Sequence, residues 1–205
     1  MEEDTAIINT NVRNEKIKNF FINYKKIIIF LILIIIFIII LFFSFSEYKE
    51  IQKKKISSFY NSIILEYSEE TKEKTVESLI KIVNKHDSTY SPLSLYFILD
   101  NKLINDIKKI NELFDILIFK TNLEKEIKNL IIYKKALFNA DHVGENELLN
   151  IIRPLINSKS IWKSHALYLM GEFFYSKNEK QKSIDFFNQL VILENANKKL
   201  KLQSQ

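Results

Sequence analysis

The apolar positions of this 205-residue chain fall into two regimes. From Ile27 to Phe43 every residue is Ile, Leu or Phe. That run is about 17 residues long and, at about 1.5 Å per residue in a helix, reaches nearly across bilayer hydrocarbon. Ser44 and Phe45 lengthen it to about 19. Before it lies a short polar tail, and after it apolar residues recur at helical spacing among Lys, Glu and Asn. Amphipathic segments of that kind cannot share the environment of the run. The pattern therefore predicts a tail at 1–25, a transmembrane helix at 26–46, a helical domain at 47–194 and a polar C-terminal tail at 195–205.

Residues 1–11 are polar and lack periodicity. From Val12 a short amphipathic helix is expected, with Ile17, Phe20, Phe21 and Tyr24 on one face beside Lys16, Lys18, Lys25 and Lys26. Its two readings are a helix lying on an anionic membrane surface and a lead-in to the span. Ser44-Phe45-Ser46 has the small-x-small form of a signal-peptide cleavage site, but the run exceeds the usual apolar region of about 7–15 residues and its leader is long and opens acidic. An uncleaved anchor is the expectation. Lysines flank it on both sides, with Lys25 and Lys26 abutting it and Lys49, Lys53, Lys54 and Lys55 following, so the positive-inside bias toward a cytoplasmic N-terminus is slight.

Beyond the span, stripes predict about eight short helices. Ile56, Phe59, Tyr60, Ile63, Ile64 and Tyr67 form the first, and Val76, Leu79, Ile80 and Val83 the second. Ser91-Pro92 reads as a helix start, with Ser91 as cap and Pro92 in the first turn. Leu103, Ile107, Ile110, Phe114 and Leu117 make a stripe expected to be buried, as do Leu123, Ile127, Leu130, Ile131, Leu137 and Phe138. Leu148, Leu149, Ile152, Leu155 and Ile156 follow, with Pro154 ending or kinking their helix. A last pair covers 160–176 and 180–193, after which the chain is expected to fray.

Composition narrows the class. Two glycines and two prolines are too few for a fold built on hairpins and tight turns, which makes an all-α fold the expectation. The net charge of +5 is dispersed over lysines that alternate with Glu and Asp, unlike the concentrated basic face of a nucleic-acid binder. The chain has no cysteine, so disulfides and thiolate metal sites are excluded. His86, His142 and His165 form no metal-ligand spacing, and neither glycine lies in a phosphate-cradling loop. No enzyme, metal, cofactor or small-molecule substrate is expected. Trp162 reads as a core anchor at a helix start.

The most specific signal lies in the last pair. Leu167, Met170, Gly171, Phe174, Ser183 and Phe187 occupy the spacing of the tetratricopeptide pattern W-x2-L-G-x2-Y followed by A-x3-F. Gly costs about 1 kcal/mol relative to Ala inside a helix, so Gly171 points to a close approach by the partner helix, with small Ser183 facing it. The expected architecture is a tetratricopeptide-like α-solenoid behind a single span.

On these residues the chain resembles the YfgM-like ancillary SecYEG translocon subunits, tetratricopeptide-like single-pass membrane proteins. The resemblance lies in Glu15-x-x-Lys18-x-Phe20-Phe21 before the span, Phe59-Tyr60 after it, and the helix Ala166-Leu167-Tyr168-Leu169-Met170-Gly171-Glu172. It implies an uncleaved anchor in the bacterial inner membrane, a cytoplasmic tail and a periplasmic domain. Its implied partners are translocon subunits and periplasmic chaperones, with the lipid bilayer around the span, and its implied function is accessory to protein translocation or envelope protein folding. The degenerate central repeats depart from a regular array. The alternative is a self-associating envelope or cell-division scaffold.

Overall fold

The computed structural model describes residues 2–204, with side chains from Lys18 onward except Phe20, Phe21 and Ile28. The expected stripe of Ile17, Phe20 and Phe21 thus lies outside the described side chains. Among the described residues there is no strand: nine α-helices, one 3-10 turn and one π-helical turn make an all-α fold. The chain divides into two compact units, Met1–Lys55 and Ile56–Gln205.

Helix α1 (Glu2–Leu65) runs unbroken where a separate short helix from Val12 was expected. The reason is local, because the first 65 residues contain neither Gly nor Pro to stop it. Its segment Ile22–Leu65 is long and apolar enough to cross a membrane, and the most apolar window, with mean hydropathy 3.7, has no residue buried in the protein. A helix apolar on all sides and covered on none needs a non-aqueous surround. Around this segment Lys25 and Lys26 are exposed, and Lys49 Nζ sits 4.5 Å over the Phe45 ring.

In the second unit the last turns of α1 contribute buried Ile63 and half-buried Tyr60, whose ring packs 5.6 Å from that of Tyr90. The Tyr90 hydroxyl donates to Ser57 Oγ at 2.6 Å. A 3-10 turn (Glu69–Thr71) leads into α2 (Lys72–Val83), which packs on α3 (Tyr90–Asp100). Then follow α4 (Ile107–Asp115), a π-helical turn (Ile116–Lys120), α5 (Lys125–Asn139), α6 (Glu145–Ile156), α7 (Lys163–Ser176), α8 (Lys180–Ile192) and α9 (Lys198–Gln203). The principal pairings join sequence neighbours: α2 with α3, α5 with α6 and α7 with α8. One apolar core runs through them, from Leu79 and Ile82 through Leu95, Phe114 and Ile131 to Ile152, Met170 and Phe174.

Few glycines do not prevent sharp reversals, because other residues take the left-handed backbone. Lys102 (φ 49°) ends α3 and Asn178 (φ 64°) ends α7. At both, the next amide reaches back five residues, Leu103 N–H to Ile98 O and Glu179 N–H to Phe174 O, each at 2.9 Å. This is the helix stop that usually employs Gly.

Four expectations need correction. Ser91 does not cap α3: the Asp87 carboxylate accepts from Thr89 and Tyr90 N–H at 2.9 and 2.7 Å, while Ser91 is buried and donates to Ile82 O on α2. Pro92 does lie in the first turn. On α5, Ile131 of the expected stripe is buried but Ile127 and Leu137 are exposed, because the buried face follows Asn129, Ile131, Ile132, Ala136 and Asn139. Asn139 and Asn111 of α4 exchange amide hydrogen bonds at 2.8 and 2.9 Å, and this pair sets the rotation of α5. On α4, Ile107 is likewise exposed, lying beside the loop Leu103 enters. Finally, the tail after 195 does not simply fray. Asn197 Oδ1 accepts from Lys199 and Leu200 N–H, and the α9 it starts rests on α7 and α8.

Candidate functional site

The residues singled out in the last hairpin converge on one helix crossing. Leu167, Met170, Gly171 and Phe174 are buried on α7, and Ser183 is buried on α8. Ser183 Oγ donates to the Gly171 carbonyl at 2.9 Å. A Cβ at position 171 would fall on the Phe187 ring, 2.7 Å from its Cδ1 and Cζ. Gly171 is therefore the gap into which Phe187 packs, and Tyr168 flanks that ring at 5.7 Å. Phe174 stacks on Phe186 at 5.5 Å and 14°. Lys182, adjoining Ser183 on α8, bridges Glu145 of α6 at 2.7 Å and Glu179 at 2.8 Å, and lies 5.0 Å over Phe174. Its hydrogen bonds to the two carboxylates raise its pKa above the usual lysine range. This constellation fixes α6, α7 and α8 together; its polar groups are spent on one another.

Trp162 stands at the start of α7, stacked on Tyr133 of α5 at 5.7 Å, with His165 against both rings. Burial lowers the His165 pKa. His86 occupies a left-handed turn after α2, and His142 lies 5.6 Å from Phe138. Among the described residues no three His, Cys, Asp or Glu side chains are grouped as metal ligands would be.

Surfaces open to a partner lie elsewhere. A cleft of about 490 Å³ runs between the loop after α3, the start of α4 and the end of α5. Its floor is Ile104, Ile110 and Phe138, its edges Ile107 and Leu137, its rim Lys102 and Lys134. A second, of about 430 Å³, lies where the π-helical turn meets α5 and α6, over Ile118, Ile132 and Ile151. The extra residue in that turn turns Ile118 inward and leaves Phe119 75% exposed at the cleft mouth. Thr121 Oγ1 closes the turn by donating to Ile116 O at 3.2 Å. A third, of about 660 Å³, is lined by Lys159, Lys163, Gln189 and Asn195 near the start of α7.

Sequence reasoning did not find these clefts. Their apolar residues belong to the same stripes as the core, and periodicity alone does not say which edge of a stripe a neighbour will cover. Comparison of the chain with protein-family models, curated proteins and solved structures gives no match.

Proposed function

We propose that this chain is a membrane-tethered protein-binding module. The observation that carries the reading is the pairing, on one chain, of a long apolar stretch of helix with none of its described residues buried and a helical unit whose packed hairpins leave apolar clefts open. The first calls for a bilayer and the second for a side chain from another molecule. In this reading the helical unit is a tetratricopeptide-like solenoid, and the resemblance to the YfgM-like subunits directs it to the periplasmic face of a bacterial inner membrane. There it assists protein translocation or envelope protein folding, with translocon subunits and periplasmic chaperones as partners. Tethering is the mechanism: confinement to a membrane raises the local concentration of the clefts beside any membrane-bound partner, so weak contacts suffice.

The test is site-specific photo-crosslinking in cells from Tyr48, Phe119 and Gln189 in the full chain. Translocation or chaperone proteins captured from Phe119 and Gln189 support the reading. Capture of further copies of this chain alone would replace it with a self-associating scaffold.

A further inference from the structure

We infer that the cleft between α3, α4 and α5 takes an acidic peptide segment, seating apolar side chains on its floor and carboxylates on Lys102 and Lys134. The inference rests on the protein-binding reading and specifies its partner.

Two observations combine. Ile107 and Leu137 are 39% and 51% exposed although their helices bury the neighbouring positions, so the cleft edge holds apolar surface that the fold leaves unspent. A cleft of about 490 Å³ is large enough to seat apolar side chains. The rim supplies the sign. Lys102 and Lys134 face the cleft with Asp100 as the single lining carboxylate, and neither lysine takes part in an ion pair among the described residues. That contrasts with Lys135 and Lys182, which close onto Asp115 and Glu145 at 2.7 Å.

One of the two rim lysines is also held in place. Lys134 Nζ lies 4.5 Å over the Tyr96 ring, a contact that positions the ammonium without neutralising it. Lys102 sits in the left-handed position that ends α3, where Gly is the residue without steric cost. An apolar floor with unpaired cations above it matches a ligand with the opposite arrangement, Leu or Phe beside Glu or Asp.

The experiment uses the full chain in lipid nanodiscs of zwitterionic phosphatidylcholine and a fluorescent 12-residue peptide in which Leu and Phe alternate with Glu. A second peptide carries Lys in place of Glu. Anisotropy should show binding of the acidic peptide and about tenfold weaker binding, or none, of the basic one. Lys102→Glu with Lys134→Glu should reverse that preference, and Leu137→Ser should weaken both peptides without changing which is preferred. Equal binding of the two peptides, or a preference the double variant leaves unmoved, overturns the inference. So does displacement of the peptide by phosphatidylglycerol vesicles through the same lysines, which would assign the rim to lipid headgroups. None of these outcomes touches the in-cell capture from Phe119 and Gln189, so loss of this partner class and loss of the protein-binding reading are separately visible.

Discussion

Ser183 Oγ donates to the Gly171 carbonyl across the α7–α8 crossing at 2.9 Å, and one turn further along α8 the Phe187 ring occupies the space a side chain at 171 would need. Position 171 thus obeys two opposed rules. Ala is favoured over Gly in a helix by about 1 kcal/mol, yet its methyl would overlap the ring. Overpacking wins, because Phe187 is half-buried against Tyr168 and cannot yield without losing that contact. Gly171→Ala is expected to lower stability modestly, and Gly171→Leu by about 1–3 kcal/mol. Denaturant unfolding of residues 47–205 measures both. Adding Phe187→Leu should recover part of the loss, whereas strict additivity of the two substitutions would show that the ring is not the obstacle.

The helix stop at Asn178 permits a stabilising change. Its φ of 64° costs an L-residue energy that Gly avoids, and the exposed side chain makes no hydrogen bond among the described residues that its removal would forfeit. Asn178→Gly should raise stability by about 0.5 kcal/mol, the small gain reflecting the tolerance of Asn for this region and the extra unfolded-state freedom of Gly. A melting midpoint that falls instead would place a further constraint on the α7–α8 turn.

The last hairpin was legible in the sequence because its determinants are local: a small residue on each helix and aromatics at fixed spacing. The rotation of α5 was not. It depends on Asn139, buried among apolar neighbours and paired with Asn111 twenty-eight residues away, a contact no periodicity encodes. Once that pair faces inward, Leu137 turns out onto the cleft. The same error concealed the cleft, because surface assigned to the core was not available to be considered as a binding edge. Asp87 escaped notice for a related reason, since Ser91-Pro92 carried a start signal of its own while Ser91 was drawn into a hydrogen bond with α2.

Tyr96 gives a pH dependence with a defined sign. Burial pushes its pKa from the ordinary 10.0 up to about 12, and its hydroxyl is buried with no hydrogen-bond partner among the described residues. A folded-state pKa above the unfolded value means the unfolded chain loses this proton first. The contribution is therefore intact below pH 10 and is lost as pH rises toward 12. Tyr96→Phe should remove that alkaline loss while leaving stability at neutral pH equal or slightly higher, because it deletes an unsatisfied buried oxygen. Tyrosinate absorbance followed through an alkaline titration, wild type minus Tyr96→Phe, should show this residue ionising after the exposed tyrosines. Ionisation in step with them would mean the hydroxyl is solvated.

The topology decides whether the clefts face the partners proposed for them. None of the described residues of the apolar run Ile27 to Phe43 is buried, and Lys25 and Lys26 stand at its N-terminal edge; the proposed topology is a retained span with the tail in the cytoplasm. Because the chain contains no cysteine, thiols introduced singly as Thr5→Cys and Lys159→Cys report without background. Lys159 is exposed, and its substitution removes no ion pair among the described residues. A membrane-impermeant maleimide added to cells with a permeabilised outer membrane should label position 159 and spare position 5, with both positions present on one full-length product. Labelling at 5 alone would put the helical unit in the cytoplasm and remove periplasmic chaperones from its partners. Cleavage after Ser46 would release that unit from the membrane, and tethering would then have no part in how it finds a partner.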